Sequence, residues 1–219
     1  MLKKFICLAK SARDGALCIA GKEVSSEGNA DWIRPIGREK EALTINNLDF
    51  GVGSILSCDV DSHSPTEVQK ENFVISEKPN WKNLGTFPKE NLVNLLDSPD
   101  TLWEVGNNCS SAHGYNDRVA VNSCAITGNS LYFIKIDCAI LVKKDQGYDG
   151  DSKKRMRIIF EYNGTEYSLV VTCPELSEKY WNELKIDETV KIGPSYITVS
   201  LAKPFYGFCY KVVAGHAFA

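Results

Sequence analysis

Nowhere in these 219 residues does an apolar run approach the roughly eighteen consecutive positions that a membrane-spanning helix needs. The three histidines, His63, His113 and His216, are scattered, and no two of the eight cysteines stand two to four residues apart. Zinc sites rely on that paired spacing, so neither a structural zinc nor another cofactor is expected. There is no basic excess: 25 Lys and Arg face 28 Asp and Glu, a formal charge of -3. A surface attracting polyanions over its whole extent is thereby excluded, and any contact with nucleic acid must be local. Gly51-Val52-Gly53-Ser54 lacks the Gly-Lys-Ser/Thr ending of a phosphate-binding loop. Ser110-Ser111-Ala112-His113-Gly114 brings serine near histidine without a Gly-x-Ser-x-Gly elbow, so it does not make a hydrolase nucleophile. The apolar run that follows Lys3 and Lys4 is cut short by Lys10, Arg13 and Asp14, unlike a secretory signal, and a cytoplasmic protein is expected.

What is present is strand-like. Hydrophobic residues at 43% and charged residues at 24% suit a folded chain. The cysteines Cys7, Cys18, Cys138 and Cys209 sit inside apolar runs and are expected as core thiols. Residues 4–10, 16–24 and 32–36, separated by Arg13-Asp14-Gly15 and Gly28-Asn29, form a meander pattern, and residues 52–60 and 72–76 add two short strands. After Pro88, apolar residues at helical spacing predict a helix ending before Ser98-Pro99. Residues 106–128 turn to Asn, Ser and Gly, an irregular stretch of the kind that carries sites and the natural boundary region.

The second half holds the clearest local signal. Asn163-Gly164 between two β-rich runs predicts a two-residue type I′ hairpin. Pairing outward sets Phe160 opposite Tyr167, Ile158 opposite Leu169 and Met156 opposite Val171, an unbroken apolar face, and also Glu161 opposite Glu166. The facing acids fit a solvated hairpin tip, with a cation or basic partner as the alternative. A short helix is expected after Pro174, with Tyr180, Trp181 and Leu184 on one side, followed by strands at 196–201 and 208–214. Seven to nine strands and one or two short helices predict a mainly β protein of two small barrels joined by a long irregular segment, divided at residues 1–128 and 129–219.

Four groups of residues could carry chemistry. Trp32 and Arg34 share a strand face, offering a stacking surface beside a two-pronged donor for phosphate or carboxylate; the alternative is an arginine lying over a half-buried tryptophan as packing. Asn116-Asp117-Arg118 combines an amide, an acid and a guanidinium, and equally reads as a turn with an ion pair. Gln69, Glu71 and Asn72 can face one ligand from an extended backbone or form a solvated loop. Lys143, Lys144, Lys153, Lys154, Arg155 and Arg157, with Tyr148 nearby, resemble the edge of a single-strand groove, but the interspersed Asp145, Asp149 and Asp151 favour protection of an exposed strand edge.

A set of short matches in order, Cys7-Leu8-Ala9 with Gly21, Trp32-Ile33-Arg34-Pro35, Gln69 with Glu71-Asn72, Thr101-Leu102-Trp103, Gly114 with Asn116-Asp117-Arg118, Tyr162-Asn163-Gly164 and Cys209-Tyr210-Lys211, resembles the bacterial dual OB domain proteins over nearly the whole chain. The resemblance implies two OB-like barrels and binding of nucleic acid or a nucleotide-like ligand. It brings no established reaction. Where the family pattern places an acid in a Val-Thr-x-Pro corner, this chain has Thr172-Cys173-Pro174, so a role for that acid does not carry over.

The expectation is therefore a binding protein for a nucleotide-like ligand or a short single strand. Arg34 and Arg118 would hold phosphate in a shared cleft, Trp32 would stack, and Asn72, Asn116 and Asp117 would read base or ribose. The competing reading is an enzyme on such a substrate, with Asp117 or Glu71 as acid or base beside an arginine. A third is a scaffold for a protein partner.

Overall fold

The computed structural model describes the chain except residues 14–15, 25–30, 40–42, 44, 46–47, 124–127, 129 and 148–151. The turns expected at Arg13-Asp14-Gly15 and Gly28-Asn29 fall largely on those positions, as do Tyr148, Asp149 and Asp151, and lie outside the described residues.

The opening meander is β1 (Leu2–Arg13), β2 (Ala16–Glu23) and β3 (Trp32–Ile36), followed by β4 (Ser54–His63), β5 (Asn72–Ile75) and β6 (Lys82–Thr86). β1, β2 and β3 pair antiparallel, β3 runs parallel to β5, β5 pairs with β4, and β4 returns to β1. The result is a closed five-stranded barrel with β6 added outside on β4. β1 is buried on both faces, which is why it reads as a continuous apolar run rather than an alternating one. Phe5 and Cys7 point into the barrel with Ile19, Ile33 and Leu56, whereas Ile6 and Leu8 point outward against the second half of the chain.

That half contains β7 (Arg118–Ala120), β8 (Leu131–Ile136), β9 (Ala139–Asp145), β10 (Lys154–Tyr162), β11 (Thr165–Val171), α1 (Pro174–Trp181), β12 (Thr189–Ile192), β13 (Ser195–Leu201) and β14 (Phe208–Phe218). The connectivity repeats: β9, β10 and β11 form an antiparallel meander, and β11 runs parallel to β14. Only Gly193 and Pro194 separate β12 from β13, so one bent segment pairs with β9 through its first part and with β14 through its second. This closes a second barrel, with α1 in the crossover. Both halves are OB-like, and the protein is mainly β.

The Asn163-Gly164 hairpin has the expected register, with Phe160 opposite Tyr167, Ile158 opposite Leu169 and Glu161 opposite Glu166. Asn163 (φ 49°) and Gly164 (φ 75°) adopt the left-handed conformations of a type I′ turn. The ladder ends at Arg157 and Val170, so Met156 and Val171 are both buried but do not pair.

Several expectations need correction. The described residues hold fourteen strands rather than seven to nine: β6, β7 and β12 are three to five residues long and carry little pattern, and β8 and β9 also went unread. The segment after Pro88 is a 3-10 helix (Lys89–Leu95), not an α-helix; no side chain caps it and only Leu92 is buried. Cys18 and Cys138 are exposed, not core thiols. β7 lies within the irregular stretch, pairs with β14, and places Val119 in the second barrel's core with Leu102 and Trp103.

The barrels meet along a continuous seam. Ile6 and Leu8 of β1 pack with Phe133 and Tyr196, and Ala9 and Ala20 with Leu131 and Ala214. The Leu8 carbonyl accepts a hydrogen bond from Thr198 Oγ1. A Cβ on Gly215 would stand 2.0 Å from that same carbonyl oxygen, so only glycine allows β14 to approach β1 this closely.

Candidate functional site

A cleft of about 620 Å³ opens beside the seam on the β2–β3 side of the first barrel. Lys22, Glu23, Trp32 and Ile33 line it from the sheet, Lys70, Glu71 and Phe73 from the β4–β5 connection and the start of β5, and residues 94–97 with Ser130 and Leu131 from the far side. Trp32 and Lys22 face each other in the β2–β3 register, and the lysine Nζ lies 5.4 Å from the indole centroid. Asp97 fixes both: its carboxylate pairs with Lys22 Nζ at 2.7 Å and accepts from Trp32 Nε1 at 3.2 Å and from the Phe133 amide at 2.8 Å. Phe73, the second aromatic wall, lies beneath Lys3 Nζ, which pairs with Glu23 at 2.9 Å.

The formal charges lining the cleft are therefore mostly neutralised within it. Lys3 is held by Glu23, Lys22 by Asp97, and Glu71 by Arg34. Lys70, exposed at the rim, has no ion-pair partner among the described residues. A cleft of two aromatic walls, lined also by the exposed Lys70 and Asp31, suits a small polar ligand with a flat ring better than a dense polyanion.

Behind this surface lies a buried polar network. Arg34 Nη2 meets Glu71 Oε1 at 3.0 Å and donates to Ser130 Oγ at 3.0 Å and Ser200 Oγ at 3.2 Å. Ser130 Oγ donates to Glu71 Oε1 at short range. Gln69 Nε2 donates to the Leu201 carbonyl at 3.2 Å, and Asn72 Nδ2 to Gln69 Oε1 at 3.4 Å. Arg34, Glu71 and the Gln69–Leu201 bond thus tie β3 and the β4–β5 connection of the first barrel to β13 of the second.

Five of the eight expected site residues come together here. Trp32 and Glu71 line the cleft, and Arg34, Gln69 and Asn72 form the layer beneath it. Asn116, Asp117 and Arg118 stand elsewhere, on the second barrel. Asp117, 2% exposed, pairs with Arg157 at 3.0 Å and accepts from the Ser111 amide and hydroxyl, both at 2.7 Å. Asn116 bridges the Gly106 amide and the Glu166 carbonyl. The Arg118 guanidinium lies 4.1 Å from the Phe208 ring centroid and does not line the cleft.

These contacts describe how residues 99–117 lie over the β10–β11 hairpin, the counterpart of β2–β3. Tyr162 Oη donates to the Pro99 carbonyl, the Leu102 amide to Tyr167 Oη, and the Ser168 amide to the Tyr115 carbonyl. The surface that forms a cleft on one barrel is occupied by the chain itself on the other. The basic cluster is spread along the β9–β10 pair: Lys144 pairs with Asp187, Lys143 Nζ donates to the Trp181 carbonyl, and Arg157 belongs to the Asp117 pair.

Lys22, Asp97, Ser130 and Ser200 were not flagged by the sequence reading. Lys22 follows the apolar residues 16–20 and Gly21 in β2, and alternation with Ala20 gives the one signal that it faces the seam side. Asp97 and the serines sit in ordinary polar contexts.

A family model described as the dual OB-containing domain matches residues 3–216. The chain belongs to this family. No curated protein matches it. Membership in the dual OB family agrees with the repeated barrel connectivity and carries an OB-type binding role in general. No described helix is long and apolar enough to cross a membrane.

Proposed function

We propose that this dual OB protein binds a nucleotide, or the end of a short single strand, in the cleft of its first barrel. The observation that carries this reading is that Trp32, Phe73 and the uncommitted Lys70 line one cleft on the β2–β3 and β4–β5 side, the side OB barrels use for ligands. A base would lie against the indole edge of the cleft and its phosphate would meet Lys70. A volume of about 620 Å³ falls within the range of small-ligand sites. Arg34 acts indirectly, holding Glu71 and Ser130 in place at the cleft floor. Arg118, 4.1 Å from Phe208, serves a different surface. Glu71 and Asp117, the acids an enzymatic reading would use, each hold an arginine at 3.0 Å.

The test is calorimetric titration with nucleoside monophosphates on the native protein and on Lys70→Ala and Trp32→Phe. Lys70 is exposed, so its removal leaves folding intact, and weaker binding in both variants supports the cleft. Equal affinity in all three proteins overturns it.

A further inference from the structure

Two hairpins in the second barrel turn with the same backbone geometry and different residues. At the β10–β11 hairpin the positions are Asn163 (φ 49°) and Gly164 (φ 75°); at the β13–β14 hairpin they are Tyr206 (φ 46°) and Gly207 (φ 79°). The second turn is closed by Phe205 and Phe208, whose amides and carbonyls bond each other at 2.8 and 3.1 Å. Asparagine suits the first position because its short polar side chain tolerates a left-handed backbone. Tyrosine has no such advantage, yet it stands there 86% exposed, with Phe205 60% exposed and edge-on to it at 4.5 Å between centroids. Neither the turn nor the core gains from this choice.

The root of this hairpin joins the cleft. The Leu201 amide donates to the carbonyl of Ser130, a cleft-lining residue, and the Leu201 carbonyl accepts from Gln69, next to Lys70 and Glu71. From Leu201 to Phe205 the chain spans at most about 14 Å, the length of about four nucleotides stacked at 3.4 Å. Beside the tip, Arg118 lies over Phe208, and its buried Nε donates to no acceptor among the described residues.

We infer that the Phe205–Tyr206 tip is a second stacking subsite, which takes an unpaired base of a single strand whose end occupies the first-barrel cleft. This rests on the cleft reading above and extends it from a nucleotide to a short oligomer. The two exposed rings supply the sequence-tolerant stacking surface that single-strand binders use, and Arg118 supplies positive charge beside it.

The experiment compares wild type with Tyr206→Asn, which installs the residue the same turn already carries at position 163. The probes are thymidine monophosphate and a five-residue oligodeoxythymidylate, with melting temperature measured in parallel. The expected result is that the oligomer binds about tenfold more weakly to the variant, as loss of one stacked base implies. The monophosphate binds both proteins alike, and the variant melts no lower. Equal oligomer affinity in the two proteins overturns the subsite while leaving the cleft standing. A wild-type dimer in sedimentation equilibrium that Tyr206→Asn abolishes also overturns it, since the rings then serve a second copy of the chain. If neither probe binds the wild type, the cleft reading fails and the subsite with it.

Discussion

Arg34 and Glu71 are joined twice: the Arg34 amide donates to the Glu71 carbonyl at 2.8 Å, and their side chains pair at 3.0 Å where the two barrels meet. Both side chains are nearly inaccessible, at 11% and 7% exposed. The backbone bond holds β3 to the β4–β5 connection, while the side chains reach across to Ser130 and Ser200.

Removing one partner leaves a buried charge without its counterion. Arg34→Ala should destabilise the protein by about 3–5 kcal/mol in urea unfolding, whereas Arg34→Met combined with Glu71→Leu should recover much of that loss. A double variant as unstable as the single one would show that packing, not charge, sets the penalty.

Gly114 supports the other buried pair. A Cβ there would stand 2.2 Å from Asp117 Oδ2 and 2.3 Å from Arg157 Nη1, and both side chains are fixed by further hydrogen bonds. Gly114→Ala should therefore cost about 2 kcal/mol or more. It should also raise hydrogen exchange across residues 99–117 before the rest of the second barrel, since that segment is held to the hairpin through this pair. Uniform loss of protection would refute the local account.

How much of this was legible in the sequence depends on whether a residue's partners are near in the chain. The Asn163-Gly164 hairpin was readable to single-residue register because a two-residue turn fixes which side chains face each other. The opening meander was readable from its apolar runs and the turn residues between them, but its repeat through β9 was not. β6 was not, since its five residues are all exposed and show no apolar pattern. Arg34 and Glu71 were singled out as residues that could carry chemistry, and the structure pairs them at 3.0 Å. Their role is set by Ser130 and Ser200, 96 and 166 positions away from Arg34, and no local pattern encodes that. Arg118 looked equivalent to Arg34, but the pairing of β7 with β14 turns it toward Phe208.

Asp97 organises the cleft wall through Lys22, the Trp32 indole and the Phe133 amide. Among the described residues, Asp97→Ala leaves the partly buried ammonium of Lys22 with the Leu95 carbonyl and the face of the Trp32 ring. The expected loss is about 2–4 kcal/mol, with a shift in tryptophan emission as the indole loses its acceptor. Unchanged emission would mean that the ring is held by packing alone.

The thiols divide by burial. Burial pushes Cys7, Cys58 and Cys173 up to about 12, so almost none of their thiolate forms at neutral pH, while Cys18 and Cys138 are exposed. A disulfide reagent applied to native protein, followed by peptide mapping, should label Cys18 and Cys138 quickly and the three buried thiols only on unfolding. Early labelling of Cys7 would contradict the close packing inside the first barrel.

His216, on β14, gives the fold a defined acid sensitivity. Its ring is buried, lies 3.2 Å from Ser195 Oγ and meets Phe218 edge-on at 4.7 Å. Burial, reinforced by the nearby Lys179 ammonium, lowers its pKa from 6.5 to about 4. The unfolded chain then takes up a proton below pH 6.5 while the folded chain stays neutral. The stabilisation is present in full above that value and is lost as pH falls toward 4. At pH 5 the loss amounts to about 2 kcal/mol. Thermal melts at pH 7 and pH 5 on wild type and His216→Gln should show a larger drop for wild type, because glutamine can still bond Ser195 and does not titrate. Equal drops in the two proteins would place the acid sensitivity in the carboxylates instead.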